Sequence, residues 1–119
     1  LLAEDNMANI LTIGDYLENH GYQVIVAHDG LEAIAKAEAL QPNIILMDIQ
    51  IPVLNGLETI SRLRADPRFA STPIIALTAL AMPGDRERCL AAGANEYMSK
   101  PVSLKALAEK IRELVRPGG

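Results

Sequence analysis

Short runs of apolar and β-branched residues alternate along this chain with segments of helical periodicity, and this alternation limits its possible folds more than any other feature. Strands are predicted at residues 1–4, 22–27, 44–47, 74–77 and 95–98. Helices are predicted at residues 6–20, 31–40, 56–64, 84–92 and 103–115, the last with Ser103 as its N-cap. Such alternation is typical of a parallel sheet covered by helices on both faces. With right-handed crossovers, it predicts one three-layer α/β domain.

The domain is expected to occupy the whole chain, residues 1–119. The chain opens inside an apolar stretch, so we expect that a few leading residues are missing and that the domain was excised from a longer protein. Residues 65–73 form a polar connector with two prolines, and Pro117-Gly118-Gly119 is interpreted as the start of a linker.

Charge and composition narrow the classes of function. The net charge is −4, no cluster of basic residues is present, and only four residues are aromatic. These features argue against direct binding to nucleic acid and favour protein partners. The single cysteine, Cys89, excludes a disulfide within one copy and fits a cytoplasmic location. The longest nearly apolar run, residues 74–82, is far below the ~20 residues that span a bilayer, so no membrane contact is expected of this domain.

Polar side chains follow four of the predicted strands where each strand ends. Glu4 and Asp5 come at the end of the first strand, Asp48 after the third, Thr78 after the fourth and Lys100 after the fifth. Ligand sites in parallel α/β sheets lie outside the carboxyl ends of the strands. We therefore expect these five side chains to share one rim of the sheet.

This combination of groups has a specific chemistry. Three carboxylates close together repel one another, and a divalent cation with hard oxygen ligands, Mg²⁺ or Mn²⁺, relieves that repulsion. One carboxylate can then act as a nucleophile toward a phosphoryl group. The metal and Lys100 would neutralise charge on that group, and Thr78 would donate a hydrogen bond to it.

Four motifs in order give the chain a family resemblance. These are the acidic pair Glu4-Asp5, Asp48 with the loop 48–56, Thr78-Ala79 and Lys100-Pro101. Together they resemble the CheY-like receiver domains of two-component response regulators, over essentially the whole chain. The resemblance implies a flavodoxin-like fold, with a five-stranded parallel sheet in the order 2-1-3-4-5 and five helices.

The resemblance also implies roles for single residues. Asp48 would be the phosphoacceptor, and Mg²⁺ would be held by Asp5, Asp48 and the backbone carbonyl of Gln50, with Glu4 bound directly or through water. A receiver domain is a switch whose only catalysis is its own phosphorylation and dephosphorylation. The side chains of Gln50 and Leu80 are expected to tune the lifetime of the phosphoryl group.

The remaining implied roles concern the switch. Thr78 would shift toward the phosphoryl group, Tyr97 would be the aromatic residue that turns inward in response, and Lys100 would pair with the phosphoryl group. The peptide bond between Lys100 and Pro101 is expected to be cis, on the strength of the family alone.

The sequence Asp5-Asn6-Met7-Ala8-Asn9 resembles receivers of hybrid sensor histidine kinases. The expected partners are a histidine kinase or phosphotransfer domain and a downstream protein. The domain is expected to be a monomer or weak dimer, in a parent chain that is itself anchored to a membrane or free in the cytoplasm. The alternative parent is a stand-alone or effector-linked response regulator.

Structural interpretations compete with these roles. Asp48 would then cap a loop, Glu4 and Asp5 would favour a helix N-terminus through its dipole, Thr78 would be an ordinary strand residue, Tyr97 would belong to the core and Lys100 to a solvated loop. Structural or solvent-facing roles are preferred for His20 and His28, for buried Cys89, and for the charged face of Asp85, Arg86, Glu87 and Arg88.

Two other functions remain open at this point. A phosphatase with an aspartate nucleophile needs a second acid two residues later, and Gln50 stands there instead. An interaction domain that is never phosphorylated would have no need of the intact acidic and basic groups.

Overall fold

A computed structural model describes residues 1–79 and 82–115, and within them five strands alternate strictly with five α-helices. The strands are β1 (Leu2–Ala3), β2 (Val26–Ala27), β3 (Ile45–Asp48), β4 (Ile74–Thr78) and β5 (Glu96–Ser99). The helices are α1 (Met7–Asn19), α2 (Gly30–Leu40), α3 (Gly56–Ala65), α4 (Asp85–Ala92) and α5 (Leu104–Leu114). Leu80 and the linker predicted at Pro117-Gly118-Gly119 lie outside the described residues.

The strands form one parallel sheet in the order β2-β1-β3-β4-β5. This order and the helix count confirm the predicted fold class. Leu2 is in register with Leu46, Asp48 with Leu77, and Thr78 with Ser99. All strands therefore end at the same edge of the sheet, which is the edge where a ligand site is expected.

Two apolar clusters cover the two faces of the sheet, since successive strand residues point to opposite sides. On one face, Ala3, Ile45, Met47 and Ala76 pack with residues of α2, α3 and α4. On the other face, the cluster contains Leu2, Ile13, Leu17, Leu46, Ile75, Leu77, Leu107 and Ile111, from the sheet and helices α1 and α5. The result is a three-layer sandwich.

Four helices begin with a side-chain cap that satisfies a free backbone N–H of the first turn. The capping residues are Asn6, Asp29, Asn55 and Ser103, each accepting from the backbone N–H three residues later. The predicted cap at Ser103 is thus confirmed. Helix α4 differs, since it begins at Asp85 after Gly84, which has a left-handed backbone and no side chain to cap with.

The second strand is much shorter than predicted. Residues 22–27 were expected, but the ladder covers only Val26–Ala27. This strand lies at the edge of the sheet and pairs only with β1, which itself has two residues. The N–H of Tyr22 donates instead to the Leu17 carbonyl at the end of α1, 3.0 Å away.

The connector before β4 is more than a polar link. Pro67–Phe69 form a short 3₁₀ helix, and the Phe69 side chain is buried in the cluster between the sheet and α3. Because prolines and charged residues surround Phe69 in the sequence, the segment was predicted to be polar and Phe69 was not predicted to be a core residue.

None of the helices in the described parts of the chain combines the length and apolar character needed to cross a bilayer.

Candidate phosphoacceptor site

The acidic residues predicted from the sequence do meet at the carboxyl edge of the sheet. One carboxylate oxygen each from Glu4, Asp5 and Asp48 can be chosen so that all three lie within 4.8 Å of one another. Glu4 and Asp48 are buried, with 1% and 3% of their surfaces exposed, while Asp5 is open to solvent. A cluster of hard oxygen donors with one exposed member fits Mg²⁺ or Mn²⁺, which retain bound water on an open side.

Glu4 is fixed by the start of helix α1. Its Oε2 atom accepts hydrogen bonds from the backbone N–H groups of Asp5 and Asn6, at 3.2 and 3.3 Å. Both Glu4 and Asp5 precede the N-cap Asn6, so neither belongs to the first helical turn. Glu4 and Asp5 therefore lie directly before the helix, where Glu4 binds free N–H groups; the interpretation that both acids favour this helix N-terminus through its dipole stays a prediction.

Lys100, which directly follows the edge strand β5, contacts the two buried acids. Its Nζ atom lies 2.6 Å from Oε1 of Glu4 and 3.2 Å from Oδ2 of Asp48. The Lys100–Pro101 peptide bond is cis, the geometry that the resemblance implied. Lys100 thus neutralises part of the charge of two carboxylates that are distant in sequence: Glu4 is 96 residues away and Asp48 is 52 residues away.

The surroundings of Glu4 and Lys100 shift the pKa values of both side chains. Burial raises the pKa of Glu4, and the neighbouring Asp48 carboxyl adds to the rise, while Lys100 opposes it. For Lys100, burial alone would lower the pKa, but the hydrogen bond to Glu4 and the charges of Asp48 and Glu4 outweigh it, so the pKa is raised. Lys100 therefore stays protonated as the counter-ion of this cluster at neutral pH.

The loop after β3 holds the other oxygen of Asp48. The backbone N–H of Gln50 donates to Oδ1 of Asp48 at 3.0 Å, and the N–H of Ile49 donates to the Leu77 carbonyl at 2.8 Å. The two oxygens of Asp48 thus face different groups, Oδ2 toward Lys100 and Oδ1 toward the loop.

Two glycines let this loop lie close to the rest of the fold. A Cβ atom on Gly56 would stand 2.5 Å from Cα of Ile49 and 2.6 Å from the carbonyl oxygen of Asp48. A Cβ atom on Gly30 would stand 2.0 Å from the Leu54 carbonyl oxygen. These contacts exclude any side chain at either position without movement of the backbone beside the site. The sequence showed the glycines but not what they approach.

Thr78 and Tyr97 lie on one face of the sheet. Thr78 is the buried last residue of β4, and Tyr97 in β5 is in register with Ala76, two residues before it. Side chains two residues apart on a strand point the same way, so Tyr97 is on the side of Thr78, half-buried against the cluster beneath α2, α3 and α4.

A cavity of about 190 Å³ opens beside the site, and the sequence did not predict it. Gln50 and Thr78 line one side, and Asp85, Arg88 and Cys89 of α4 line the other. Asp85 and Arg88 had been assigned to a solvated helix face. The spacing of charges along α4 carried no signal of the cavity, because the packing of α4 against the loop creates it.

The other singled-out residues lie away from the acids. Nδ1 of His20 lies 2.8 Å from the Tyr16 carbonyl and its ring stacks on that tyrosine, and His28 pairs with Glu32 on the surface of α2. Cys89 is buried, as predicted, and burial raises the pKa of its thiol.

A larger cavity of about 350 Å³ lies at the opposite end of the strands, between residues such as Leu17, Tyr22 and Pro42. None of the described side chains that line it carries a carboxylate, amine, imidazole or thiol, unlike those at the acidic edge.

Comparison with known proteins gives a consistent result. The profile of the response regulator receiver domain matches residues 1–112. The polar-differentiation response regulator DivK of Brucella anthropi is 41% identical over 112 residues, which are 94% of this chain and 91% of DivK.

Solved structures agree with the sequence match. The receiver domain of sensor histidine kinase PA1611 from Pseudomonas aeruginosa, solved with a magnesium ion in its active-site cleft, is 40% identical with a TM-score of 0.89, over 96% of this chain and 93% of that one. The chemotaxis protein CheY4 of Vibrio cholerae is 28% identical with a TM-score of 0.88, over 95% and 94% of the two chains.

Proposed function

This chain belongs to the response regulator receiver domains, and from that premise we propose that Asp48 accepts a phosphoryl group from a phosphohistidine donor in a Mg²⁺-dependent reaction. The observation that carries the proposal is the placement of one buried carboxylate, Asp48, between Lys100 at 3.2 Å and the Gln50 N–H at 3.0 Å, beside two further acids. Receiver domains are signalling switches and not classical enzymes.

In the transfer, a carboxylate oxygen of Asp48 attacks phosphorus and forms the new O–P bond as the P–N bond to the donor histidine breaks. The histidine leaves as a neutral imidazole whose other nitrogen carries a proton. Lys100 is close enough to balance the charge that develops on the phosphoryl oxygens, and the Gln50 N–H orients the attacking carboxylate.

Glu4, Asp5 and Asp48 would hold the metal, together with the Gln50 carbonyl. Bound Mg²⁺ supplies positive charge that screens the approaching phosphoryl oxygens from the carboxylates. The pairing of Glu4 with Lys100 favours water-mediated contact of Glu4 with the metal, since both of its oxygens already have partners.

The phosphorylated state would be recognised by Thr78 and Tyr97. The added phosphoryl group carries about −1.5 to −2 charges and three acceptor oxygens. Thr78 would donate to one of them, and Tyr97, on the same face of the sheet, would move inward as the Thr78 side chain shifts. The surface formed by α4, β5 and α5 would then change its affinity for a downstream protein.

Two parent proteins are compatible with this role. The Asp5-Asn6-Met7-Ala8-Asn9 sequence and the similarity to the PA1611 receiver support a hybrid sensor histidine kinase. The similarity to DivK, a response regulator, supports the stand-alone alternative. The regions of the gene that flank this domain distinguish the two directly.

Labelling with phosphoramidate, which contains a P–N bond, tests the acceptor. In the presence of Mg²⁺ the wild type should gain one acid-stable, base-labile phosphoryl group, and Asp48→Asn should gain none. Asp15→Asn, on the exposed face of α1, is the matched control and should label like the wild type. Unchanged stoichiometry in Asp48→Asn would refute the assignment.

A further inference from the structure

The cavity beside Asp48 brings a second cation toward the site from α4. Arg88 lines it together with Gln50 and Thr78, and the N–H of Gln50 is the group that binds Oδ1 of Asp48. Lys100 approaches the other oxygen, Oδ2, from β5. Lys100 therefore contacts the Asp48 carboxylate directly from the end of β5, while Arg88 of α4 lines the cavity beside the residues that surround it.

Phosphorylation would leave this site short of positive charge. Lys100 pairs with Glu4 and Asp48, two of the three clustered carboxylates, and is the one cation among the described residues in ion-pair contact with that cluster; a phosphoryl group on Asp48 adds further negative charge. Lys100 is shared with Glu4 at 2.6 Å. The phosphoryl oxygens that project toward the cavity would gain most from another donor.

Arg88 is suited to supply that donor because its side chain is largely open to solvent. It pairs with Asp85 one turn earlier, and 57% of the Arg88 side-chain surface is exposed against 15% for Asp85. Water screens the charge of the Arg88 side chain, which lowers the cost of exchanging one anionic partner for another. A guanidinium group also matches phosphate oxygens with a planar pair of N–H donors.

Asp85 has a second role that does not need Arg88. Its Oδ2 atom accepts the backbone N–H of Met82 at 2.9 Å, and its own N–H donates to the Met82 carbonyl at 3.1 Å. These bonds hold the turn before α4, where Gly84 offers no capping side chain. Arg88 can leave Asp85 while the turn stays closed.

We propose that Arg88 exchanges Asp85 for the phosphoryl group on Asp48 and so acts as a second cationic contact of the phosphorylated site. The inference rests on the proposed function of Asp48. The exchange would leave Asp85 without its ion-pair partner at the start of α4, so that phosphorylation changes the charge pattern of that helix.

Binding of beryllofluoride with Mg²⁺, a mimic of the phosphoryl group, tests the exchange when followed by ¹⁹F NMR. Arg88→Ala should weaken the affinity on the order of fivefold, as expected for one partly exposed charged contact. Arg88→Lys, which keeps the charge but loses the planar fork, should fall between that variant and the wild type. Arg86→Ala removes the same charge from the exposed face of α4 and should bind like the wild type.

Asp85→Asn separates the proposal from a purely structural role of the ion pair. The amide oxygen can still accept the Met82 N–H, but the side chain no longer neutralises Arg88, so the affinity for beryllofluoride should rise about twofold or more. If the pair acts only by stabilising α4, Asp85→Asn and Arg88→Ala should both weaken binding, and that result would overturn the proposal.

The remaining outcomes are also decisive. Equal affinities of Arg88→Ala and Arg86→Ala would overturn the exchange while leaving the function of Asp48 intact, provided that the wild type binds the mimic and is labelled by phosphoramidate. A wild type that does neither would overturn both. Thermal unfolding of each variant checks that the domain remains folded in the assay.

Discussion

Val53, in the loop after β3, has a backbone conformation that a β-branched residue seldom adopts. Its φ angle is 70°, and the N–H of Leu54 donates to the Pro52 carbonyl across it at 2.8 Å. This geometry corresponds to a γ-turn of the strained type. The Val53 side chain is 72% exposed, so packing does not compensate for the strain.

Val53→Gly should therefore stabilise the domain by about 0.5–1 kcal/mol. Glycine relieves the ~1–2 kcal/mol cost of a left-handed conformation but adds up to ~1 kcal/mol of chain entropy to the unfolded state. The free energy of unfolding in urea measures the change. Val53→Ala keeps a Cβ atom and should gain much less, and equal effects of Gly and Ala would show that the φ angle is not the cause.

At the scale of elements, Arg64 at the end of α3 links four segments of the chain. Its guanidinium donates to the carbonyls of Gly93 at 2.8 Å and of Phe69 and Thr72 at 2.6 Å, and to Oδ1 of Asn95 at 2.6 Å. The same Asn95 oxygen accepts the N–H of Ile74, the first residue of β4. Arg64 thus fastens the connector and the end of α4 to the sheet, at the edge remote from Asp48.

Arg64→Ala should lower the free energy of unfolding by about 2–4 kcal/mol, because several backbone carbonyls lose a charged donor. Arg64→Lys should recover little, since a single ammonium cannot reach acceptors on four sides. Arg62→Ala, on the same helix but in an exposed pair with Glu58, should cost about 0.5 kcal/mol or less. Urea denaturation of the three variants would contradict this account if Arg62 and Arg64 were equivalent.

Helix α1 contains a glycine that its packing does not require. Gly14 is buried, but a Cβ atom there would find its nearest neighbour, Cγ1 of Val24, at 4.0 Å. Gly14→Ala should stabilise the domain by about 1 kcal/mol through helix propensity, seen as a rise of roughly 4 °C in the unfolding midpoint.

The same substitution at Gly56 should have the opposite effect on stability from Gly14→Ala. Its Cβ atom would meet Cα of Ile49 at 2.5 Å, so the loop that positions Asp48 must shift. We expect a lower midpoint and slower phosphoramidate labelling. Equal midpoints for the two variants would contradict the contacts described for these glycines.

At the scale of the whole molecule, a metal held by Glu4, Asp5 and Asp48 would join the ends of β1 and β3 only in the folded state. Binding to the native state alone stabilises it by mass action, by about 1.4 kcal/mol at ten times the dissociation constant. Mg²⁺ should therefore raise the unfolding midpoint, and Asp5→Asn should abolish most of the rise.

The control for this effect is Asp15→Asn, which removes another exposed carboxylate from the middle of α1. It should respond to Mg²⁺ like the wild type, with NaCl at equal ionic strength to remove the effect of screening. A Mg²⁺ response that survives in Asp5→Asn but not in Asp15→Asn would place the metal elsewhere.

The sequence predicted the fold class and the acidic edge because both depend on short-range patterns. Strand and helix periodicity repeats over a few residues, and in a parallel sheet every strand ends at the same edge. Glu4, Asp48 and Lys100 could thus be grouped from their positions after the strands, before any distance was known. The predicted length of β2 was wrong because β2 is an edge strand, and its hydrogen-bonded length is limited by its one partner, β1.

What the sequence determined by itself was therefore the order of the elements and the types of side chain at the carboxyl edge. The tertiary structure alone decided that Lys100 pairs with Glu4 as well as Asp48, that Phe69 is buried, that Arg64 binds four acceptors and that Arg88 faces the cavity beside Asp48. Each of these contacts joins segments distant in sequence or depends on how a helix is rotated against the sheet. Packing of the complete core sets that geometry, and no local pattern of residues encodes it.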